Sequence, residues 1–301
     1  MGADMRAFQF VSARDSRHAI ELLAQHAPAA RLLAGGTDLL VDLKSASRAP
    51  QVVIDISRAA DLKGIELTDR GLKIGALATH AEIERSPLVR KMLPALAEAV
   101  HSIGAVQTRN LGTLGGNLVT CVPSMDSGPA LLALDALAIV AGPRGERQLT
   151  LAEFFVAPRR TALAPDELLT AIVIPEVSLG KPAAFVKFGL RKGQALALVN
   201  VAASAWIDSG RHVFESPRIA LGAVAPTVIR APLAEKYLAG RKITAEAMTE
   251  AGCIAAGEAA PISDFRASAQ YRRDLIAVLT RRALERVANR AAGGDAEREN
   301  A

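Results

Sequence analysis

Apolar positions change their period along the chain, and each change marks a different kind of element. Phe8, Phe10 and Val11 suggest a short strand. Ala19, Ile20, Leu22 and Leu23 then fall at helical spacing within residues 12–26, with Asp15 or Ser16 as N-cap and Pro28 as terminator. Residues 31–34 form a short apolar strand that runs into Gly35-Gly36-Thr37-Asp38. A helix-like stretch over 39–43 and a β-branched strand over 51–56 follow. From Ser57 the pattern becomes a hairpin, 64–67 and 72–75 around the turn Asp69-Arg70-Gly71. Thr79-His80-Ala81-Glu82 and Thr150-Leu151-Ala152-Glu153 are capping boxes that open helices, and 94–101 is a further helix. The apolar run 130–141 is broken only by Asp135, and 168–174 is a strand closed by Pro175. Beyond it, 183–190, 199–207 and 218–224 read as three antiparallel strands. Helices follow over 233–238, 245–259 and 268–290. These changes set expected boundaries at 1–57, 58–176 and 177–290, with a polar tail over 291–301 expected to be disordered.

Composition narrows the function classes. A chain of 301 residues can bury more than one core. Apolar residues make up 50%, yet the longest apolar run is shorter than the roughly 20 residues of a spanning helix, so no membrane span is expected. The first ten residues carry no apolar secretory core, and Arg6 stands where a myristoylation pattern needs Ser or Thr. A cytoplasmic location is therefore the expectation. Two cysteines, Cys121 and Cys253, cannot build an iron–sulfur or zinc site, so no metal is expected in this chain. The net charge of +5 is spread out and aromatics are only 4%, which argues against nucleic acid. His18, His26, His80, His101 and His212 pair with no nucleophile at a recognisable spacing. They read as surface or cap-adjacent residues, and no catalytic residue is expected.

Two glycine-rich loops carry the chemical signal. Ala34-Gly35-Gly36-Thr37-Asp38 follows an apolar strand and precedes a helix. Gly112-Thr113-Leu114-Gly115-Gly116-Asn117 comes after the helix at 94–101 and before the apolar run 130–141. Paired glycines let successive N–H groups face one concavity and remove side chains that would block a phosphate. Thr37 and Thr113 can add hydroxyl donors. Neither loop matches the P-loop or the Rossmann fingerprint. Two tight turns of positive φ remain an equally good reading of the glycines alone. Asp126, in the stretch 123–136, could accept from ribose hydroxyls or could simply be a turn or N-cap residue. Asp135 suggests a buried hydrogen bond or a strand edge.

AGGTDLL at 34–40, TLGGN at 113–117 and SMDSGPALLALDA at 124–136 resemble the flavin-carrying medium subunits of the xanthine dehydrogenase and carbon monoxide dehydrogenase family. The resemblance extends over MRAFQFVSARD near the start, AVAPTVIRAPLAEKYLAGR at 223–241 and ISDFRASAQYRRDL at 262–275. It implies an α+β chain with a two-subdomain FAD-binding fold, of the vanillyl-alcohol-oxidase type. A C-terminal domain with a three-stranded antiparallel sheet and helices follows. Carried over by position, Leu32, Leu33, Ala34, Gly35, Gly36, Thr37, Asp38 and Leu39 wrap the FAD pyrophosphate. Thr113, Leu114, Gly115, Gly116 and Asn117 contact pyrophosphate and flavin-side groups. Asp126 holds the ribose, Ile103 and Gly104 lie by the isoalloxazine ring, and Leu169 and Lys187 make later contacts. The first loop has no histidine to tether flavin, so non-covalent FAD is implied. The implied role is electron transfer from a small subunit with two [2Fe–2S] clusters, through FAD, to an external acceptor. A large subunit holds the molybdenum cofactor, and the assembly is a dimer of heterotrimers. A stand-alone FAD-dependent oxidoreductase and a nucleotide-binding module without redox chemistry are the competing readings.

Overall fold

Parallel pairing in the first sheet follows from the helix between its strands. β1 (Gln9–Ser12), α1 (Ser16–His26), β2 (Ala30–Leu33), α2 (Leu39–Lys44) and β3 (Val52–Asp55) form a sheet of order β1-β3-β2, with both pairings parallel. Asp15 is the N-cap of α1 and accepts from the His18 N–H at 2.8 Å. This is a computed structural model describing residues 6–45 and 49–293. The N-terminal reading of residues 1–5 and most of the tail reading, from 294 on, lie outside the described residues.

The middle part of the chain builds an antiparallel sheet covered by short helices. Its strands are β4 (Ile65–Thr68), β5 (Gly71–Gly75), β6 (Leu137–Gly142), β7 (Gly145–Thr150) and, after a small β8–β9 hairpin (Phe155–Ala157 and Arg160–Thr161), β10 (Leu168–Pro175). The order is β4-β5-β10-β6-β7, so the last strand lies at the centre. Between β5 and β6 come α3 (His80–Arg85), α4 (Pro87–Met92), α5 (Pro94–His101), α6 (Val106–Leu111), α7 (Leu114–Thr120) and α8 (Ser127–Ala133), while α9 (Leu151–Phe154) follows β7. Both expected capping boxes form, at Thr79 with Glu82 and at Thr150 with Glu153. Asp135, in positive φ between α8 and β6, pairs with Arg218 and Arg230, which explains a charge inside an apolar run.

The last part is a sheet buried on both faces. β11 (Ala183–Gly189), β12 (Ala197–Asp208) and β13 (Val213–Gly222) are antiparallel, as expected, but β14 (Ile229–Arg230) joins as a fourth strand. Two residues are too few to leave a period in the sequence. Alternation assigns the faces. Val201, Ala203, Ile219 and Leu221 pack with the helices α10 (Pro232–Leu238), α11 (Ala245–Glu258) and α12 (Ala269–Ala291). Phe185, Ala202 and Ala220 join the core of the middle sheet and its helices. Among the described residues no helix is long and apolar enough to cross a membrane.

One buried cation ties this last part together. Arg272, 3% exposed, donates to the Leu198 carbonyl at 2.7 Å and to Asp264 at 3.0 Å. Arg272→Leu strands that carbonyl and carboxylate, so urea unfolding should show a loss of about 3–5 kcal/mol. A loss under about 1 kcal/mol would mean that solvent reaches both groups.

Candidate cofactor cavity

A cavity of about 540 Å³ lies where the first and middle sheets meet, within the usual range of 300–1,000 Å³ for small-molecule sites. β2 delivers the chain into it and Gly36, at φ +75°, turns it. Gly35 faces the Leu111–Gly112 backbone so closely that a Cβ there would lie 1.7 Å from the Leu111 oxygen. The result is an unspent row of donors. Among the described residues, no hydrogen bond is made by the N–H groups of Gly35, Gly36, Thr37, Asp38 or Leu39. Successive free N–H groups on a concave wall form an anion-binding nest. The residues present therefore fit a pyrophosphate.

The second glycine motif is not a loop. Residues 114–120 are the helix α7, with Thr113 as N-cap. The N–H groups here are already used: Leu114 donates to Ala78 O, Gly115 to Ala76 O, Gly116 to Thr113 Oγ1 and Asn117 to Thr113 O. This corrects the expectation of a second nest of N–H donors. Gly115 is needed for packing, since a Cβ would lie 2.7 Å from Ala76 atoms. Gly116 keeps the cavity open, because a Cβ would meet only the Thr113 hydroxyl.

The cavity brings together most of the residues singled out in the sequence. Leu32, Ala34, Gly35, Gly36, Thr37, Asp38, Leu39, Ile103, Gly104, Thr113, Gly115, Gly116, Asn117, Asp126 and Leu169 all line it. Leu33 and Leu114 do not, and Leu114 is fully buried in the core. Lys187 does not line it either. Its ammonium lies behind Asp126, donating to Asp126 Oδ2 at 2.5 Å and to the Ser102 carbonyl at 3.1 Å. Asp126, 5% exposed, also accepts from Asn200 at 2.7 Å. Burial pushes its carboxyl above the usual carboxylate range, while Lys187 and Asn200 pull the other way.

Sequence reasoning missed His80. It is 2% exposed and lines the cavity instead of sitting on the surface. Burial first, then the charge of Arg109, lowers its pKa to about 4. Arg109 itself is held by Glu84 at 3.0 Å and by the Ile103 carbonyl at 3.1 Å. The loop after β11 was missed as well, and places Gln194, Ala195 and Leu196 on the cavity. Gln194 N–H donates to the Gly104 carbonyl at 3.1 Å. Neither has a local signature, because burial of His80 depends on Gly112 folding back over it.

Comparison with known proteins matches this arrangement to one family. Residues 6–177 match the model of the FAD-binding domain in molybdopterin dehydrogenase, and residues 184–287 match the carbon monoxide dehydrogenase flavoprotein C-terminal domain. The chain belongs to this flavoprotein family. It is 34% identical to the xanthine dehydrogenase FAD-binding subunit of Escherichia coli O157:H7, over 92% of this chain and 94% of that one. It is 34% identical to the nicotinate dehydrogenase FAD-subunit of Eubacterium barkeri, over 81% and 83%. A solved carbon monoxide dehydrogenase from Hydrogenophaga pseudoflava superposes with a TM-score of 0.91 at 32% identity, covering 96% of this chain and 99% of the other.

Two predictions follow from the buried charges. Lys187→Met leaves the buried Asp126 without its only cation partner among the described residues and should cost about 3–5 kcal/mol in urea unfolding without any ligand. A ligand-contact lysine would instead leave the apo protein's stability unchanged. The second concerns pH. Unfolded His80 takes up a proton below its usual 6.5, whereas the folded residue does so only near 4. The unfolded state thus binds more protons in that window, and stability falls as pH drops through it, by roughly 3 kcal/mol. His80→Gln should flatten this part of the stability–pH curve; an unchanged slope would show that His80 is not held neutral.

Proposed function

We propose that this chain is the FAD-carrying electron-transfer subunit of a heteromeric molybdenum hydroxylase. The observation that carries the reading is the row of free N–H groups from Gly35 to Leu39 on the cavity wall. Neutral donors fixed by backbone geometry suit a pyrophosphate, and the family is one of FAD-binding domains. Leu32 and Ala34 to Leu39 would enclose the pyrophosphate. Thr113, Gly116 and Asn117 would form the opposite wall, Asp126 would face the ribose, and Ile103 with Gly104 the ring system. Leu33, Leu114 and Lys187 would act only by supporting these walls. When bound, FAD would supply the redox centre between a partner's iron–sulfur cluster and an external acceptor.

The chain's own residues bind and orient; none is asked to move a substrate proton. With no histidine in the first loop, FAD is held non-covalently. The relatives' names point to partners: carbon monoxide dehydrogenase medium chain in Hydrogenophaga pseudoflava and nicotine 6-hydroxylase medium subunit in Paenarthrobacter nicotinovorans. We assign the partners as a large molybdopterin-binding subunit and a small subunit with two [2Fe–2S] clusters. The assembly is a dimer of heterotrimers in the cytoplasm. The three-part division at 1–57, 58–176 and 177–290 belongs to the same reading.

The purified chain, mixed with FAD and gel-filtered, should retain flavin absorbance that acid precipitation releases. Gly116→Val, which projects a branched side chain into the cavity, should lower FAD affinity at least tenfold while the far-ultraviolet spectrum stays native. Flavin retained in full by this variant would sink the placement of the cofactor. A folded wild-type chain that takes up no flavin, alone or with its partners, would sink the function.

A further inference from the structure

Among the described residues, His80 is a buried side chain on this cavity whose hydrogen bonding is incomplete. Its backbone N–H donates to the Gly112 carbonyl at 3.0 Å, which fixes the residue at the start of α3. Neither ring nitrogen has a hydrogen-bond partner among the described residues. Nδ1 is fully enclosed, while Nε2 lies towards Gly112, another lining residue, and keeps contact with the cavity.

The neighbours do not satisfy it. Thr113 Oγ1 is the N-cap acceptor for Gly116, and Asn117 Oδ1 accepts from Ser127 at 2.6 Å. Arg109, the cation that acts on His80, is committed to Glu84 and the Ile103 carbonyl. An imidazole this deeply buried and unbonded is costly, and such groups in native proteins have a partner or a use. Burial and Arg109 keep the ring uncharged, so one nitrogen donates and the other accepts. An enclosed N–H is worse than an enclosed lone pair. The proton therefore sits on Nε2, as a donor turned to the cavity.

We propose that His80 is a binding residue for the flavin nucleotide, donating a hydrogen bond from Nε2 to an acceptor atom of the bound cofactor. This rests on the FAD reading above. A flavin nucleotide is rich in acceptors along its length: ring carbonyls, ribityl hydroxyls and phosphate oxygens. A neutral donor can serve any of them without adding charge beside the ring.

The test uses the full chain and FAD. In ¹⁵N-histidine-labelled protein, one imidazole should stay neutral from pH 8 to 5. Its Nε2 signal should be that of a protonated nitrogen and should shift when FAD is added. His80→Phe keeps the ring's bulk and removes the donor; it should weaken FAD binding about tenfold. His80→Gln restores an N–H at the same reach and should recover binding to within about threefold. Equal affinity for wild type and His80→Phe, or a neutral imidazole whose signals ignore FAD, would overturn the proposal. If the phenylalanine variant does not fold, the wild-type ¹⁵N experiment decides alone. A wild-type chain that binds no FAD in its complex overturns the cofactor reading first. Wild-type binding with unmoved His80 signals overturns only the role of His80.

Discussion

The contact between Gly35 and the Leu111–Gly112 backbone is the constraint on which the cavity depends. The turn after β2 and the end of α6 meet with no room for a Cβ, which would fall 1.7 Å from the Leu111 oxygen. That contact sets where β2 ends and where the next five N–H groups face. Side chains hold the same junction further out. Thr120 donates to Asp38 at 3.3 Å, and Arg159 pairs with Asp42 at 2.5 Å. Leu77 and Leu168, from the middle part of the chain, complete the core of the first sheet. The wall of donors is therefore a product of the joint between the two sheets and not of the loop alone.

The two glycine pairs look alike in sequence and do different physical work. The first pair frees N–H groups, because its turn interrupts the hydrogen-bonding pattern between β2 and α2. The second pair lies within α7, where Gly115 donates to the Ala76 carbonyl and Gly116 to the Thr113 cap. There the missing Cβ matters for volume, at Gly115 against Ala76 and at Gly116 towards the cavity. A pair of glycines signals close approach of something; which partner approaches is decided by the rest of the fold.

What was legible in the sequence was what depends on neighbours in the chain. The capping boxes at Thr79 and Thr150, the Asp15 cap and the hairpin at 64–75 all form, since each is encoded within a few residues. The family motifs located most of the cavity lining. Long-range pairing was not legible. Lys187 carries no mark showing that its partner is Asp126, 61 positions away. His80 read as the first residue of a capped helix, which it is. Its environment is set by Gly112 and Arg109, from α6 and its C-cap: Gly112 packs against the ring and the charge of Arg109 acts on it. β14 is too short to show a period, and it is held by pairing with Ala220 and Leu221.

Among the described residues, no lysine or arginine lines this cavity. An anionic ligand is met instead by backbone dipoles, hydroxyls and an uncharged imidazole. Two cations behind its wall, Arg109 and Lys187, are each bound to a carboxylate. Attraction by a mobile cation tolerates error, because a long side chain can follow its target. Attraction by fixed dipoles does not, since each N–H is aimed by the backbone that carries it. Selectivity for one ligand shape then follows from the same rigidity that the Gly35 contact imposes.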